Sequence, residues 1–118
     1  MTSESVAEPM RDQIIDSDLL DMSVLVLKTL SDPARLQILW ALCHEDRTLS
    51  ELAQQVGVTP STVSQLLTRL RTAGVLQARK SGRHMIYSMR DERAREFIRQ
   101  TLDFARYRME QQADGEAS

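Results

Sequence analysis

The residues able to do chemistry gather in the middle of the chain. The segment opening at Thr59-Pro60 carries Ser61, Thr62, Ser64, Gln65, Thr68 and Arg69 before Thr72. An amide such as that of Gln65 can bond an adenine edge at two points. A guanidinium can do the same at guanine, and a hydroxyl can meet a base or a phosphate. Residues 59–72 hold no Asp, Glu or Lys, the types that crowd an ordinary solvated helix face. A second group, Arg79, Lys80, Arg83 and His84, surrounds Ser81-Gly82 and suits phosphate or minor-groove contact. A third, Cys43 and His44, is a pair of neighbours, which a helix sets about 100° apart and so poorly placed to chelate.

The first group needs a helix with one buried side. Val63, Leu66, Leu67 and Leu70 recur at that helical spacing, with Thr59 as N-cap and Pro60 at the first helical position. Just upstream, Thr48-Leu49-Ser50-Glu51 reads as a capping box, and the short helix it opens turns Leu49, Leu52, Ala53 and Val56 inward. Gly57 ends that helix, so residues 48–72 read as a helix-turn-helix. The second group needs a hairpin. Residues 75–80 and 84–89 alternate about Ser81-Gly82-Arg83, and a basic hairpin directly after a helix-turn-helix is a wing.

Three more helices complete the frame. Asp16 or Ser17 opens the first, which reaches about Leu30 with Leu19, Leu20, Val24, Leu27 and Leu30, and also Met22, Leu25 and Val26. That is more apolar surface than one small core needs, and it points to a subunit interface. Ser31-Asp32-Pro33 starts the second, with Ser31 as cap and a stripe of Leu36, Leu39, Trp40 and Cys43 flanked by Ile38 and Leu42. Asp91 caps the last, with Ala94, Phe97, Ile98, Leu102 and Ala105 on one face.

With 118 residues, 42% apolar and 27% charged, the chain is expected to form one soluble domain over 13–110. Residues 1–12 and 111–118 are polar, and are expected to be disordered arms. No apolar run suits a membrane span, and the acidic N-terminus lacks the order of a secretory signal, so a cytoplasmic protein with no membrane partner is expected. Net charge is −2, yet residues 52–90 contain no acid against Arg69, Arg71, Arg79, Lys80, Arg83 and Arg90. A local basic face is the electrostatic footprint of a phosphate-binding surface whatever the total charge. No nucleophile–base pair, phosphate-cradling Gly loop or clustered acid pair suggests an enzyme.

The runs LKTLSDPARLQILWAL, TLSELAQQVGVTPSTVSQLLTRLRTAGVL and ARKSGRHMIYSM together resemble the ArsR/SmtB family of bacterial repressors, over roughly Leu25 to Phe104. The resemblance implies a mainly α winged helix-turn-helix fold with a small β-hairpin. It further implies a homodimer joined through the first and last helices, with Leu19, Leu20, Val24, Phe97, Ile98 and Leu102 as interface residues. Such a dimer would bind an inverted-repeat operator in double-stranded DNA and repress transcription. Ser61, Thr62, Ser64 and Gln65 would then read DNA, with Arg83 in the wing. Many relatives have His where this chain has Gln65.

The resemblance also implies release by a transition metal, although some relatives use other signals. One family metal site uses a Cys-x-Cys-type motif where this chain has Arg47, Thr48 and Leu49. A second pairs an Asp-x-His with later ligands; here Asp91 is followed by Arg93, and Phe104 and Tyr107 stand further on. Arg stays protonated and cannot ligate. Nickel, cobalt or zinc would have to be held by Cys43 and His44 with carboxylates such as Asp16 or Asp18 across a dimer, or by a separate metal-binding partner protein. The plainer reading makes Cys43 a small buried hydrophobe and His44 an exposed helix-end residue. The alternatives are a winged-helix protein-interaction module and a thiol-responsive regulator. For the latter, Cys43 has no second Cys to resolve a sulfenic acid.

Overall fold

The structure, a computed structural model, describes residues 14–117. Helix α1 (Ser17–Leu30) begins at Asp16, whose carboxylate accepts from the Asp18 N–H at 3.2 Å. Of its residues only Thr29 is buried, while Leu19, Leu20, Met22, Leu25 and Leu27 stand exposed. Helix α2 (Pro33–His44) is capped by Asp32, which accepts from the Arg35 N–H at 3.0 Å. This corrects the expected Ser31 cap. Pro33 takes the first helical position, so the cap is the residue just before it. Ser31 instead closes α1, donating its hydroxyl to the Leu27 carbonyl at 2.6 Å. Arg35 reaches back to the carbonyls of Lys28 and Thr29 at the end of α1, where the Lys28 carbonyl also accepts from the Ser31 N–H at 3.2 Å.

Helix α2 is the hub of the core. Ile38, Leu39 and Leu42 are fully buried and Cys43 nearly so, whereas Leu36 and Trp40 are half-buried. The expected stripe is therefore rotated by part of a turn. The cause is that α2 has apolar residues on several sides, so periodicity alone does not pick the inner one. What picks it is the set of elements packed against α2.

Strand β1 (Arg47–Thr48) leads into helix α3 (Leu49–Val56). The capping box holds: Glu51 N–H donates to Thr48 Oγ1 at 3.2 Å, and Thr48 N–H to Glu51 Oε1 at 2.9 Å. Gly57 ends α3 at φ +78°, the left-handed conformation that a Cβ disfavours. Helix α4 (Pro60–Thr72) follows and packs against α3 as the second half of the helix-turn-helix.

Strands β2 (Leu76–Ser81) and β3 (His84–Met89) pair antiparallel from Leu76↔Met89 to Ser81↔His84. The two-residue loop Gly82-Arg83 has Gly82 at φ +61°, as a type II′ hairpin requires at its first position. β1 adds to the free edge of β3, with Arg47 opposite Tyr87 and Thr48 opposite Ile86. The sheet order is thus β1-β3-β2, and its buried side carries Leu76, Tyr87 and Met89. A two-residue strand leaves no alternation to read, and the sequence gives no sign of β1.

Helix α5 (Glu92–Ala117) starts where Asp91 Oδ1 accepts from the Ala94 N–H at 2.9 Å. It continues through residues expected to be a disordered tail from 111. Gln111, Gln112, Ala113 and Glu116 are good helix formers and outnumber the less favourable Asp114 and Gly115. Ile98, expected at a subunit interface, is fully buried in the subunit's own core. Leu102 also packs against that core, because this side of α5 lies on α2. Phe97, Phe104, Tyr107 and Met109 remain exposed. The arm expected at 1–12 lies outside the described residues. Among the described residues, no helix is long and apolar enough to cross a membrane.

Candidate nucleic-acid interface

Helix α4 divides cleanly into two sides. Val63, Leu67 and Leu70 are buried, Leu66 packs against them, and Ser61, Thr62, Ser64, Gln65, Thr68 and Arg69 are exposed. At its N-terminus Thr59 Oγ1 accepts from the Thr62 N–H at 3.2 Å. The Thr59 hydroxyl donates to Thr62 Oγ1 at 2.9 Å, which leaves the Thr62 proton free for an outside acceptor. Thr68 differs: its hydroxyl donates to the Ser64 carbonyl at 2.9 Å, so from outside it can only accept. Ser61, Ser64 and Gln65 have no such commitment among the described residues. This end of α4 also presents N–H groups and the positive end of a helix dipole, which favour a phosphate.

The wing is less uniform than its sequence suggested. The register puts Arg79 and His84 on one side of the sheet with Ile86 and Thr48, and puts Lys80 on the other with Leu76 and Tyr87. Arg79 is held by Asp46 in an ion pair of 3.2 Å, so part of its charge is answered within the chain. Hydrogen bonds from Thr48 hold the Glu51 carboxyl below the usual range, with smaller help from the charges of Arg47 and His84. Arg83 sits at the exposed tip, and neither it nor Lys80 nor Arg69 has an ion-pair partner among the described residues. Two further cations, Arg71 and Arg90, line a groove of about 400 Å3 between the C-terminal half of α4 and the root of β2. They belong to the acid-free run but were not among the expected contacts.

Cys43 and His44 do not share a site. Cys43 faces α5, its thiol donating to the Arg95 carbonyl at 3.8 Å, and burial pushes its pKa up against the opposing pull of Arg99 and Arg95. His44 is exposed on the other side, edge-on to Trp40 with ring centres 4.5 Å apart. Its Nδ1 lies 2.8 Å from the Trp40 carbonyl. Among the described residues no three His, Cys, Asp or Glu come together as a metal site. Within one subunit these donors do not fit a transition metal.

Comparison with known proteins agrees with this geometry. A family model described as "Bacterial regulatory protein, arsR family" matches residues 32–78, from the cap of α2 into β2. The HTH-type transcriptional regulator KmtR of Mycobacterium tuberculosis is 33% identical over 98 residues, covering 83% of this chain and 72% of the relative. The homodimeric winged helix-turn-helix DNA-binding domain of Mb0332 from Mycobacterium bovis superposes with a TM-score of 0.78 at 28% identity, over 80% of this chain and 88% of that one. The transcriptional repressor BigR from Xylella fastidiosa gives a TM-score of 0.63 at 26% identity, over 88% and 96% of the two chains.

Proposed function

The chain belongs to the ArsR/SmtB family of DNA-binding transcriptional regulators, and from that premise we propose how it works as a repressor. A homodimer seats the two copies of α4 in successive major grooves of an inverted-repeat operator. Ser61, Thr62, Ser64 and Gln65 meet base edges and adjacent phosphates, Thr59 fixes the helix end, and Thr68 and Arg69 lie against the backbone. Arg83 and Lys80 carry the wing onto the flanking strand, with Arg79 and His84 in supporting positions. Occupied in this way, the operator is closed to the transcription machinery. The observation that carries this reading is the exposed face of α4, rich in hydroxyl and amide groups and free of carboxylates.

The dimer is supported by the exposed apolar residues of α1, notably Leu19, Leu20 and Val24, and by Phe97, Phe104 and Met109 of α5. These are far more than a lone subunit of this size should show to water. The Mb0332 domain, which shares the fold, is homodimeric. We place the functional domain at residues 13–110, with the end of α5 as an extension of it, and the protein in the cytoplasm. A metal response would need ligands from the partner subunit, from residues 1–13, or from a separate metal-binding protein.

Salt dependence tests the DNA reading. Affinity for an operator duplex is expected to fall steeply with salt as counterions leave the phosphates. Arg83→Ala should make the slope of log K against log salt shallower by about 0.9, the value of one phosphate contact on duplex DNA. Fluorescence anisotropy over a salt series measures both. Binding indifferent to salt would favour a protein-interaction module instead.

A further inference from the structure

Two grooves flank the C-terminal half of α4. The one towards the root of β2 has Arg71 of α4 and Arg90, just after β3, as its cations. The other, of about 310 Å3, lies towards the end of α1 and is lined by Lys28 of α1, Arg35 of α2 and Arg69 of α4. Thr68 and Thr72 line both, so they form the ridge between the two. No Asp or Glu lines either groove. Arg35 is occupied with the carbonyls at the end of α1. Lys28, Arg69, Arg71 and Arg90 are exposed, and none of them has an ion-pair partner among the described residues. The threonines turn their hydroxyls back on the helix, Thr68 to the Ser64 carbonyl at 2.9 Å and Thr72 to the Thr68 carbonyl at 3.0 Å. The cations are therefore what each groove offers to an anion.

The ridge is not a separate feature of α4. Ser61, Gln65, Thr68 and Thr72 recur at helical spacing, so the ridge continues the stripe at the centre of the exposed face. Arg71 and Arg69 stand on opposite flanks of that stripe. A helix about 10–12 Å across fills a major groove about 12 Å wide. The two sugar-phosphate strands that border the groove must then run along the two flanks of the helix. On α4 both flanks are basic and free of carboxylates.

We propose that the two grooves are cradles for the two backbone strands of the operator, one gripped by Arg71 and Arg90 and the other by Lys28 and Arg69. This assignment rests on the DNA-binding reading above and enlarges it. It adds Arg71, Arg90 and Lys28 to the contacts, and brings the end of α1 and the root of the wing into the footprint. Phosphate contacts carry no sequence information, so their part is to fix the register in which Ser64 and Gln65 meet the bases.

Salt titrations of the full-length protein, with an operator duplex and with a duplex of unrelated sequence, test it. Arg71→Gln combined with Arg90→Gln is expected to make the slope of log K against log salt shallower by about 1.8 on both duplexes, the value of two phosphate contacts. The affinity lost between about 50 and 200 mM salt should then shrink about twelvefold. Lys28→Gln should make the slope shallower by about 0.9. The preference for the operator should stay within about twofold in each case, because both duplexes offer the same phosphates. Arg71→Lys combined with Arg90→Lys should restore the slope, since charge is what the phosphates answer to. Unmoved slopes in the glutamine variants would overturn the cradles, and a change on one flank alone would overturn the two-sided arrangement. Loss of operator preference would mean that these residues read bases instead. A slope still shallow in the lysine variant would mean that damage to the fold, not charge, was measured. A salt-indifferent parent protein would overturn the DNA reading and the cradles with it, whereas a steep parent slope unmoved by the variants overturns the cradles alone.

Discussion

Replacing Ser64 and Gln65 together by alanine is expected to cost most of the operator recognition while leaving the fold intact. Both side chains are exposed on the face of α4 opposite Val63, Leu67 and Leu70, and neither takes part in holding the helix. A good bidentate base contact contributes about 1–3 kcal/mol of discrimination, so losing the amide and the hydroxyl should weaken specific binding by roughly a hundredfold. Stability should stay within about 0.5 kcal/mol, because surface changes cost little and alanine is the better helix former. Anisotropy with labelled duplex and urea unfolding of the same samples separate the two effects. A double variant that binds the operator normally would mean that another face of the domain reads the DNA.

Two residues further along, Leu67→Ala is expected to do the reverse. Leu67 is 1% exposed and belongs to the core formed with Leu39, Leu42 and Leu70. Truncating a buried leucine costs about 2–5 kcal/mol through lost burial and the cavity left behind. That is a large share of the roughly 5–15 kcal/mol that holds an ordinary domain folded. DNA binding should then fall only as the folded fraction falls, and should recover wherever temperature or concentration restores folding. Urea unfolding at matched protein concentration checks this, since dimerisation would make stability depend on concentration. A melting curve identical to that of the unaltered protein would mean that α4 is not packed as described.

The contrast between positions 65 and 67 explains why so much of this fold was legible beforehand. Where a segment has one apolar side and a local stop signal, the sequence is nearly a drawing of the structure. Thr59-Pro60 starts α4, Thr48 and Glu51 cap α3, Gly57 ends it, and Gly82 turns the hairpin. Each of these is decided within a few residues. Two departures are local, the Asp32 cap set by Pro33 and the helical end of α5, and the others arise where distant elements decide. The inner side of α2 is chosen by its neighbours, because the helix is apolar on several sides. Ile98 goes inward because α5 crosses α2, although its own helix pattern does not separate core from interface. β1 exists because β3 offers an unpaired edge, and nothing in Arg47-Thr48 announces a strand.

The site follows the same rule. The exposed polar face of α4 was visible as an absence of carboxylates over a helical stretch. The wing was visible as a basic turn, but its internal division was not. Arg79 and Lys80 are adjacent in sequence and lie on opposite sides of the sheet, and the partner of Arg79 is Asp46, 33 residues away. Cys43 and His44 are neighbours in sequence, and helix geometry already made them a poor chelating pair. In the fold they separate, one against α5 and the other against Trp40.

The central claim is that α4 reads a symmetric DNA sequence in the context of a dimer. Selection of bound duplexes from a random library by the full-length protein tests it most directly. The account predicts an enriched inverted repeat whose half-sites lie about one helical turn of DNA apart, as two copies of one reading helix require. Enrichment should be absent when the selection is repeated with Ser64 and Gln65 both replaced by alanine. A pool with no inverted repeat, or the same repeat recovered by the double variant, would contradict it.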